Sequence, residues 1–331
     1  MKKATAQELK TFFESLSAEF DLRVPVRLHD GTRVLGSLSE GPLALEGGKI
    51  PQKPTSVFFP QFDEVFVAES SGELAMAQPP AKPIMLVGMT AEDLDCLEFI
   101  DKFFAENFRD DIYFNKRDGA VVVGISGRCG KDGEFMKIAG GKCDIELISD
   151  GECCFIVHPY TEKGKELIGR LKSCECGCGG VKMEQLKEES DGLPTDDEKT
   201  IDKASELIRA GRVPDEFWSE IATRCIACTG CNLACPTCTC FEVYDRERDG
   251  KMVRQRGWDS CQLDGFQREA SGHNPAGKQL QRTYRRIHHK LAADVERWGH
   301  RTCMLCGRCD EVCPTDIGMK SVCGEIVKRY S

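Results

Sequence analysis

The sequence predicts an α+β domain over residues 1–173, a linker over 174–199 and a mainly helical domain over 200–331. Three observations carry this. Short apolar runs alternate with helical periodicities through the first half of the chain. Between 174 and 199, Gly, Glu, Lys and Asp dominate and apolar periodicity fades. In the last third, two copies of one cysteine pattern are separated by 67 residues. The length of 331 residues suits two domains.

The elements follow in order. Phe12, Phe13, Leu16 and Phe20 line one face of an opening helix. Val57–Phe59 and Val65–Val67 read as short strands between Pro and Gly punctuation, and Ile84–Val87 as another. Leu94, Leu97, Ile100, Phe103, Phe104 and Phe108 recur at helical spacing. Val121–Val123 is a buried-type strand. The runs 143–148 and 153–157 flank Asp150-Gly151, a hairpin signal because both turn positions want positive φ. Thr161 N-caps a helix reaching Leu171. Ile201, Ala204, Leu207 and Ile208 mark a helix that ends near Gly211, and 214–223 reads as the next.

Hydrophobic residues make up 40% of the chain and charged residues 30%, enough to bury a core. The net charge of -9 argues against a dedicated nucleic-acid binder. No stretch approaches 18 apolar residues, so no membrane span is expected. The opening residues lack the apolar run of an export signal. The 20 cysteines therefore point to metal binding rather than disulfides, in a chain expected to be cytoplasmic.

Cys225, Cys228, Cys231 and Cys235-Pro236 form C-x2-C-x2-C-x3-C-P, and Cys303, Cys306, Cys309 and Cys313-Pro314 repeat it. Three cysteines at this interval wrap three irons of a cubane; the fourth iron needs a ligand from elsewhere. In two-cluster ferredoxins the fourth cysteine of each run serves the other cluster. One 4Fe-4S cluster then takes Cys225, Cys228, Cys231 and Cys313. The other takes Cys303, Cys306, Cys309 and Cys235. Structural zinc also uses paired C-x2-C, but it gives no reason for the third cysteine step or the repeated x3-C-P. A ferredoxin-like two-cluster core with an insertion over 236–302 is the expectation.

That insertion carries a resemblance. It reads Cys235-Pro-Thr-Cys-Thr-Cys-Phe-Glu-Val, Gly257-Trp-Asp-Ser-Cys261, Ala270-Ser-Gly-His-Asn-Pro275 and an Arg-rich segment ending His288-His289-Lys290-Leu291. This resembles the dicluster iron–sulfur β subunits of cytosolic sulfhydrogenases and the related A subunit of anaerobic sulfite reductases. Flavin-associated subunits that accompany heterodisulfide reductases look similar. The resemblance is close over 214–323 and weaker upstream, through Lys53-Pro54, Phe59-Pro60, 111–117 and 161–164. It implies an electron-transfer subunit of a hetero-oligomer in anaerobic metabolism, relaying electrons between a flavin-containing NAD(P)H-type subunit and a second redox enzyme. The sequence departs from that family where a C-x-C pair is expected shortly after Cys129; here the residues are Gly133-Glu134-Phe135-Met136.

Twelve cysteines lie outside the runs. Cys174, Cys176 and Cys178 are candidates for a third metal site, with Cys129, Cys143, Cys153 or Cys154 as fourth ligand, or else thiols of a loop. Cys238, Cys240 and Cys261 read as small groups packed against the clusters. Cys96 and Cys323 read as core residues on helices. Tyr284, Ile287, Leu291, Val295 and Trp298 step by 3, 4, 4 and 3, an amphipathic helix with Arg282, Arg285, Arg286, His288, His289 and Lys290 mostly off its apolar face. Residues 244–301 hold 13 Lys and Arg against 8 Asp and Glu, a charge suited to an acidic partner or to the clusters' own charge.

No P-loop, G-x-S-x-G or H-E-x-x-H occurs, and Gly124–Gly130 lacks the dinucleotide-binding spacing. No residue pattern takes a hydride, which needs a nicotinamide or flavin. The reading is a non-catalytic relay. Its rivals are a catalytic sulfur-compound reductase subunit and a thiol-based redox-sensing module.

Overall fold

A computed structural model describes residues 1–69, 71–152, 154–172 and 182–331. Cys153 and the stretch holding Cys174, Cys176 and Cys178 lie outside the described residues, and with them the third metal site expected there. The described strands are, in chain order, β1 (Lys2–Thr5), β2 (Asp21–Arg27), β3 (Arg33–Gly36), β4 (Phe62–Ala68), β5 (Leu74–Met76), β6 (Ile84–Met89), β7 (Val121–Gly127), β8 (Ile145–Ser149), β9 (Cys154–Pro159), β10 (Phe241–Arg248) and β11 (Lys251–Trp258). The chain divides into two units, 1–59 with 78–193 and 60–77 with 194–331.

The first unit is built on a seven-stranded sheet of order β1-β9-β8-β7-β6-β2-β3. Strands β2, β6, β7 and β8 run parallel to their neighbours among themselves, while β1, β9 and β3 add antiparallel edges. Every residue of β6, β7 and β8 is buried. Strands covered on both faces favour apolar residues, which is why these segments are rich in Val, Ile, Leu and Met; the buried Glu146 among them accepts from Ser126 and Tyr160. Helices Ala6–Leu16 and Ala91–Ala105 start at Thr5 and Thr90, whose hydroxyls accept from the N–H of Glu8 and Asp93. Thr161 likewise accepts from Gly164 and caps Glu162–Gly169. The Asp150-Gly151 hairpin joins β8 to β9.

The second unit departs from its expected, mainly helical character. It holds a four-stranded antiparallel sheet, β10-β11-β4-β5. Strands β10 and β11 lie in the insertion and are joined at Asp249-Gly250, both with positive φ. Residues 60–77, expected in the first domain, supply β4 and β5, and β4 pairs with β11 from Phe62 to Ala68. Strand pairing across almost two hundred residues leaves no local mark, so sequence position misassigned it.

Two further expectations need correcting. Val57–Phe59 is not a strand: Pro54–Val57 is a 3-10 turn, begun by a proline whose fixed φ suits a first helical residue. Much of the expected linker is helical, as Met183–Asp191, and the next helix starts at Asp196. Met183 and Leu186 bury against Ile148 and Ile156 of the first sheet, and Arg128 pairs with Glu189 at 2.7 Å. Two apolar anchors in a charged stretch are too few to show as periodicity. The helix over 94–108 stops at Ala105, and Phe108 is exposed.

The second core gathers helices Asp196–Arg209, Asp215–Arg224, Gln279–His288 and Met319–Tyr330 around Ile201, Leu207, Phe217, Ile287, Leu291 and Val322. Cys323 is buried there on its helix. Among the described residues no helix is long and apolar enough to cross a membrane.

Candidate metal centre

The two cysteine runs share one backbone. Cys225 ends the helix Asp215–Arg224; two residues on, Ala227 has φ of 53°, and two further, Thr229 has φ of 64°. In the second run Leu305 and Gly307 stand at the same offsets from Cys303, with φ of 62° and 73°. Left-handed backbone at Ala, Thr and Leu costs about 1–2 kcal/mol per residue and persists only where surroundings demand it. Alternating hands turn successive N–H groups toward one concavity, the nest that cradles phosphates and iron–sulfur clusters. A short helix follows in each, Gly230–Leu233 and Arg308–Glu311.

The side chains repeat as well. The Cys231 thiol lies 3.3 Å from Asn232 Oδ1, and the Cys309 thiol 3.5 Å from Asp310 Oδ2. Each run ends in Cys-Pro-Thr, with Cys235 Sγ 3.4 Å from Thr237 Oγ1 and Cys313 Sγ 3.5 Å from Thr315 Oγ1.

The end of each run lies against the other run. Thr237 donates its hydroxyl to the carbonyl of Thr302, the residue before Cys303, at 2.8 Å. Cys235 is an electrostatic neighbour of Cys303 and Cys309. A methyl group added at Gly230 would sit 3.6 Å from a Val312 side-chain carbon and 3.7 Å from Cys228 Sγ, so the residue before Cys313 borders the first run. Among the described residues, no three His, Cys, Asp or Glu side chains converge on a point that one metal ion would fill. A cubane makes no such demand, because each thiolate binds its own iron corner.

The basic helix differs from expectation. Arg285 and His288 keep contact with solvent, but Arg282, Arg286 and Lys290, spaced by four, are buried. Arg282 donates to the carbonyls of Ala276 and Gly277. Arg286 donates to the carbonyl of Ile317 and faces Cys231, Cys309, Cys238 and Cys261. Lys290 donates to Thr237 Oγ1 at 2.7 Å and faces Cys235, Cys238 and Cys303. Burial opposes both charges, yet both stay above their ordinary pKa, because the surrounding sulfurs outweigh desolvation. The i, i+4, i+8 spacing was the available signal. Arg and Lys normally mark a solvated face, so the spacing alone does not announce burial.

Helix geometry breaks where Lys290 enters. Residues His289–Ala293 form a π-helical segment between Gln279–His288 and Asp294–Trp298. Such wide turns expose carbonyls and recur at functional sites. Ser205 Oγ takes up the carbonyl of Leu291 at 2.5 Å.

The remaining insertion thiols sit beside the runs. Cys238 hydrogen-bonds Cys235, which holds its own thiol up and lowers that of Cys235. Cys261 accepts from Asn232 Nδ2 at 3.1 Å; its thiol is lowered to about 6, chiefly by a hydrogen bond from Cys240 and then by Asn232 and Gln262. Cys129, in the other unit, is buried over Ser126 and Met136, and burial pushes its thiol up to about 12.

The donor set fits iron–sulfur clusters. Buried Arg286 and Lys290 stand among soft thiols with Asp294 and Asp310 as nearby carboxylates, and Asp294 is itself bonded to Thr302 and lies 3.3 Å from His289 Nε2. A cluster with four thiolates is a net anion and supplies the compensating charge.

Residues 224–317 match the 4Fe-4S dicluster domain family. The chain is therefore an iron–sulfur protein whose metal-binding part is a dicluster domain, as the sequence resemblance led us to expect. It is 26% identical over 95% of its length to the sulfhydrogenase 2 subunit beta of Pyrococcus furiosus, covering 95% of that protein. A shorter likeness, 23% over 49% of the chain, links it to the F420-dependent formate dehydrogenase subunit beta of Methanocaldococcus jannaschii, of which it covers 35%. Both relatives are named as subunits of oxidoreductases. No solved structure matches the chain.

Proposed function

We propose that the chain is the electron-relay subunit of a multi-subunit oxidoreductase, passing single electrons through two 4Fe-4S clusters. Cys225, Cys228, Cys231 and Cys313 hold the first cluster, and Cys303, Cys306, Cys309 and Cys235 the second. The observation that carries this is the approach of each run's end to the other run, with buried Arg286 and Lys290 among the sulfurs. Crossed ligands keep the clusters close, which short-range electron transfer requires. The clusters supply the redox chemistry. The chain supplies thiolates, N–H groups toward sulfur such as that of Met319 on Cys309 Sγ at 3.4 Å, and an apolar wall that limits water.

One partner is a flavin-containing NAD(P)H-type subunit, because this sequence has no group for hydride transfer. The other is a redox enzyme of the hydrogenase, sulfite reductase or heterodisulfide reductase type. The likeness to a sulfhydrogenase β subunit across nearly the whole chain favours the first of these. Cys228 is exposed, as are the nearby apolar Ile226, Leu233 and Val312 of the two runs, where a partner's cofactor can approach. The test is Cys225→Ser in the intact complex. Bound iron falls and transfer to the acceptor stops, while the flavin partner still reduces artificial dyes. Full overall turnover in that variant would refute the relay.

A further inference from the structure

The two runs repeat each other's backbone, but their buried charges are not symmetric. Arg286 belongs to both: it faces Cys231 and Cys313 of the first proposed cluster and Cys309 of the second. Lys290 faces Cys235 and Cys303, both assigned to the second cluster, together with the non-ligand thiol of Cys238. It is only 7% exposed, and its ammonium is anchored at 2.7 Å on Thr237 Oγ1, which in turn touches Cys235 Sγ and bonds the carbonyl before Cys303. A second tie closes the loop, as Thr302 N–H donates to the carbonyl of Lys290 at 3.1 Å. The lysine lies in the π-helical turn over His289–Ala293, where Ser205 donates to the carbonyl of the next residue, Leu291.

We propose that Lys290 is a potential-setting residue for one cluster: its buried ammonium beside Cys235 and Cys303 selectively raises the reduction potential of the second cluster and draws electrons toward that end of the relay. This rests on the ligand assignment proposed above. The physics is electrostatic. Reduction adds a negative charge to the cluster, and a fixed cation in a low-dielectric site stabilises the reduced form more than the oxidised one. Two carboxylates lie near the same cluster, and each has its own partners. Asp294 is bonded to Thr302 and close to His289. Asp310 accepts from the N–H groups of Lys320 and Ser321 and from the Ser321 hydroxyl, at the positive end of the helix Met319–Tyr330.

The experiment is a potentiometric titration, followed by electron paramagnetic resonance, of the full chain reconstituted without oxygen. Wild type, Lys290→Met and Lys290→Arg are compared, each also carrying Cys313→Ser, which leaves the second cluster alone. Lys290→Met lowers one of the two midpoint potentials, and the same lowering appears in the single-cluster background. Lys290→Arg stays near wild type. If Lys290→Met loses iron, Thr237→Val, which frees the anchor but keeps the charge, gives a smaller lowering of the same transition. Potentials that do not move in a fully loaded chain, or that both fall equally, overturn the inference alone. A wild-type chain lacking about eight irons overturns the ligand assignment as well.

Discussion

The two cysteine runs are nearly interchangeable in pattern and differ in what encloses them. The first ends a helix and meets solvent: Cys228 is exposed, as are the nearby apolar Ile226, Leu233 and Val312. The second has no fully exposed cysteine and is braced on two sides: Lys290, Thr237 and Thr302 stand at one end, and Asp310 ties it to the helix Met319–Tyr330 at the other. Sequence spacing fixes the cluster type, whereas the insertion and the final helix decide how wet, how charged and how reachable each cluster is. One motif copied twice thus sits in two different surroundings, one with an exposed cysteine and one beside a buried lysine.

The largest effect that would break this comparison is on metal content. Cys228→Ser and Cys306→Ser should each remove about four of about eight irons, leaving one spectroscopic signal apiece, different in the two variants. Identical residual signals, measured by electron paramagnetic resonance at equal iron load, would show that the two sites are not distinct.

A contrast between the units comes next. Burial holds the thiols of Cys129 and Cys143 at about 12 in the first unit, against 9.0 for a free thiol. The folded chain keeps those protons after the unfolded chain has released them. Their contribution is therefore complete below about pH 9 and is lost as pH rises from there toward 12, by about 1.4 kcal/mol per pH unit for each thiol. Urea titrations of Cys129→Ala with Cys143→Ala should show a flatter alkaline decline than the parent. An equal decline would place the loss elsewhere.

Equivalent positions in the runs sharpen the comparison further. Asp310 accepts three hydrogen bonds at a helix start, so Asp310→Ala should cost about 2 kcal/mol in the metal-free chain. Asn232→Ala, at the matching place, loses the bond to Cys261 and should cost about 1 kcal/mol. Reversal of that order in denaturant titrations would mean that the first run is the better anchored. Smallest is Ser205→Ala, about 1 kcal/mol or less, through the carbonyl of Leu291 in the π-helical turn.

Much of this was legible in the sequence. The cysteine spacing announced the dicluster domain, and Asp150-Gly151 and Thr161 marked a hairpin and a cap through local chemistry. Asp249-Gly250 carries the same turn signal as Asp150-Gly151, but the charged β10 around it hid the strand. The pairing of β4 with β11 was not legible, because nothing near Phe62 records a partner near Gly257. The burial of Lys290 leaves no mark in the sequence for a physical reason: a buried cation is exceptional, and the sulfurs, Asp294 and Thr237 that make its burial tolerable are brought to it by the fold.

The most direct test of the account is the cluster content of Cys313→Ser set against Cys235→Ser. If the runs exchange their fourth ligands, Cys313→Ser loses the cluster of Cys225, Cys228 and Cys231, and Cys235→Ser loses the cluster of Cys303, Cys306 and Cys309. Each variant then matches, in its remaining signal, a serine variant of the opposite run. If each instead matched a variant of its own run, or if the purified chain held zinc in place of iron, the crossed two-cluster relay would be wrong.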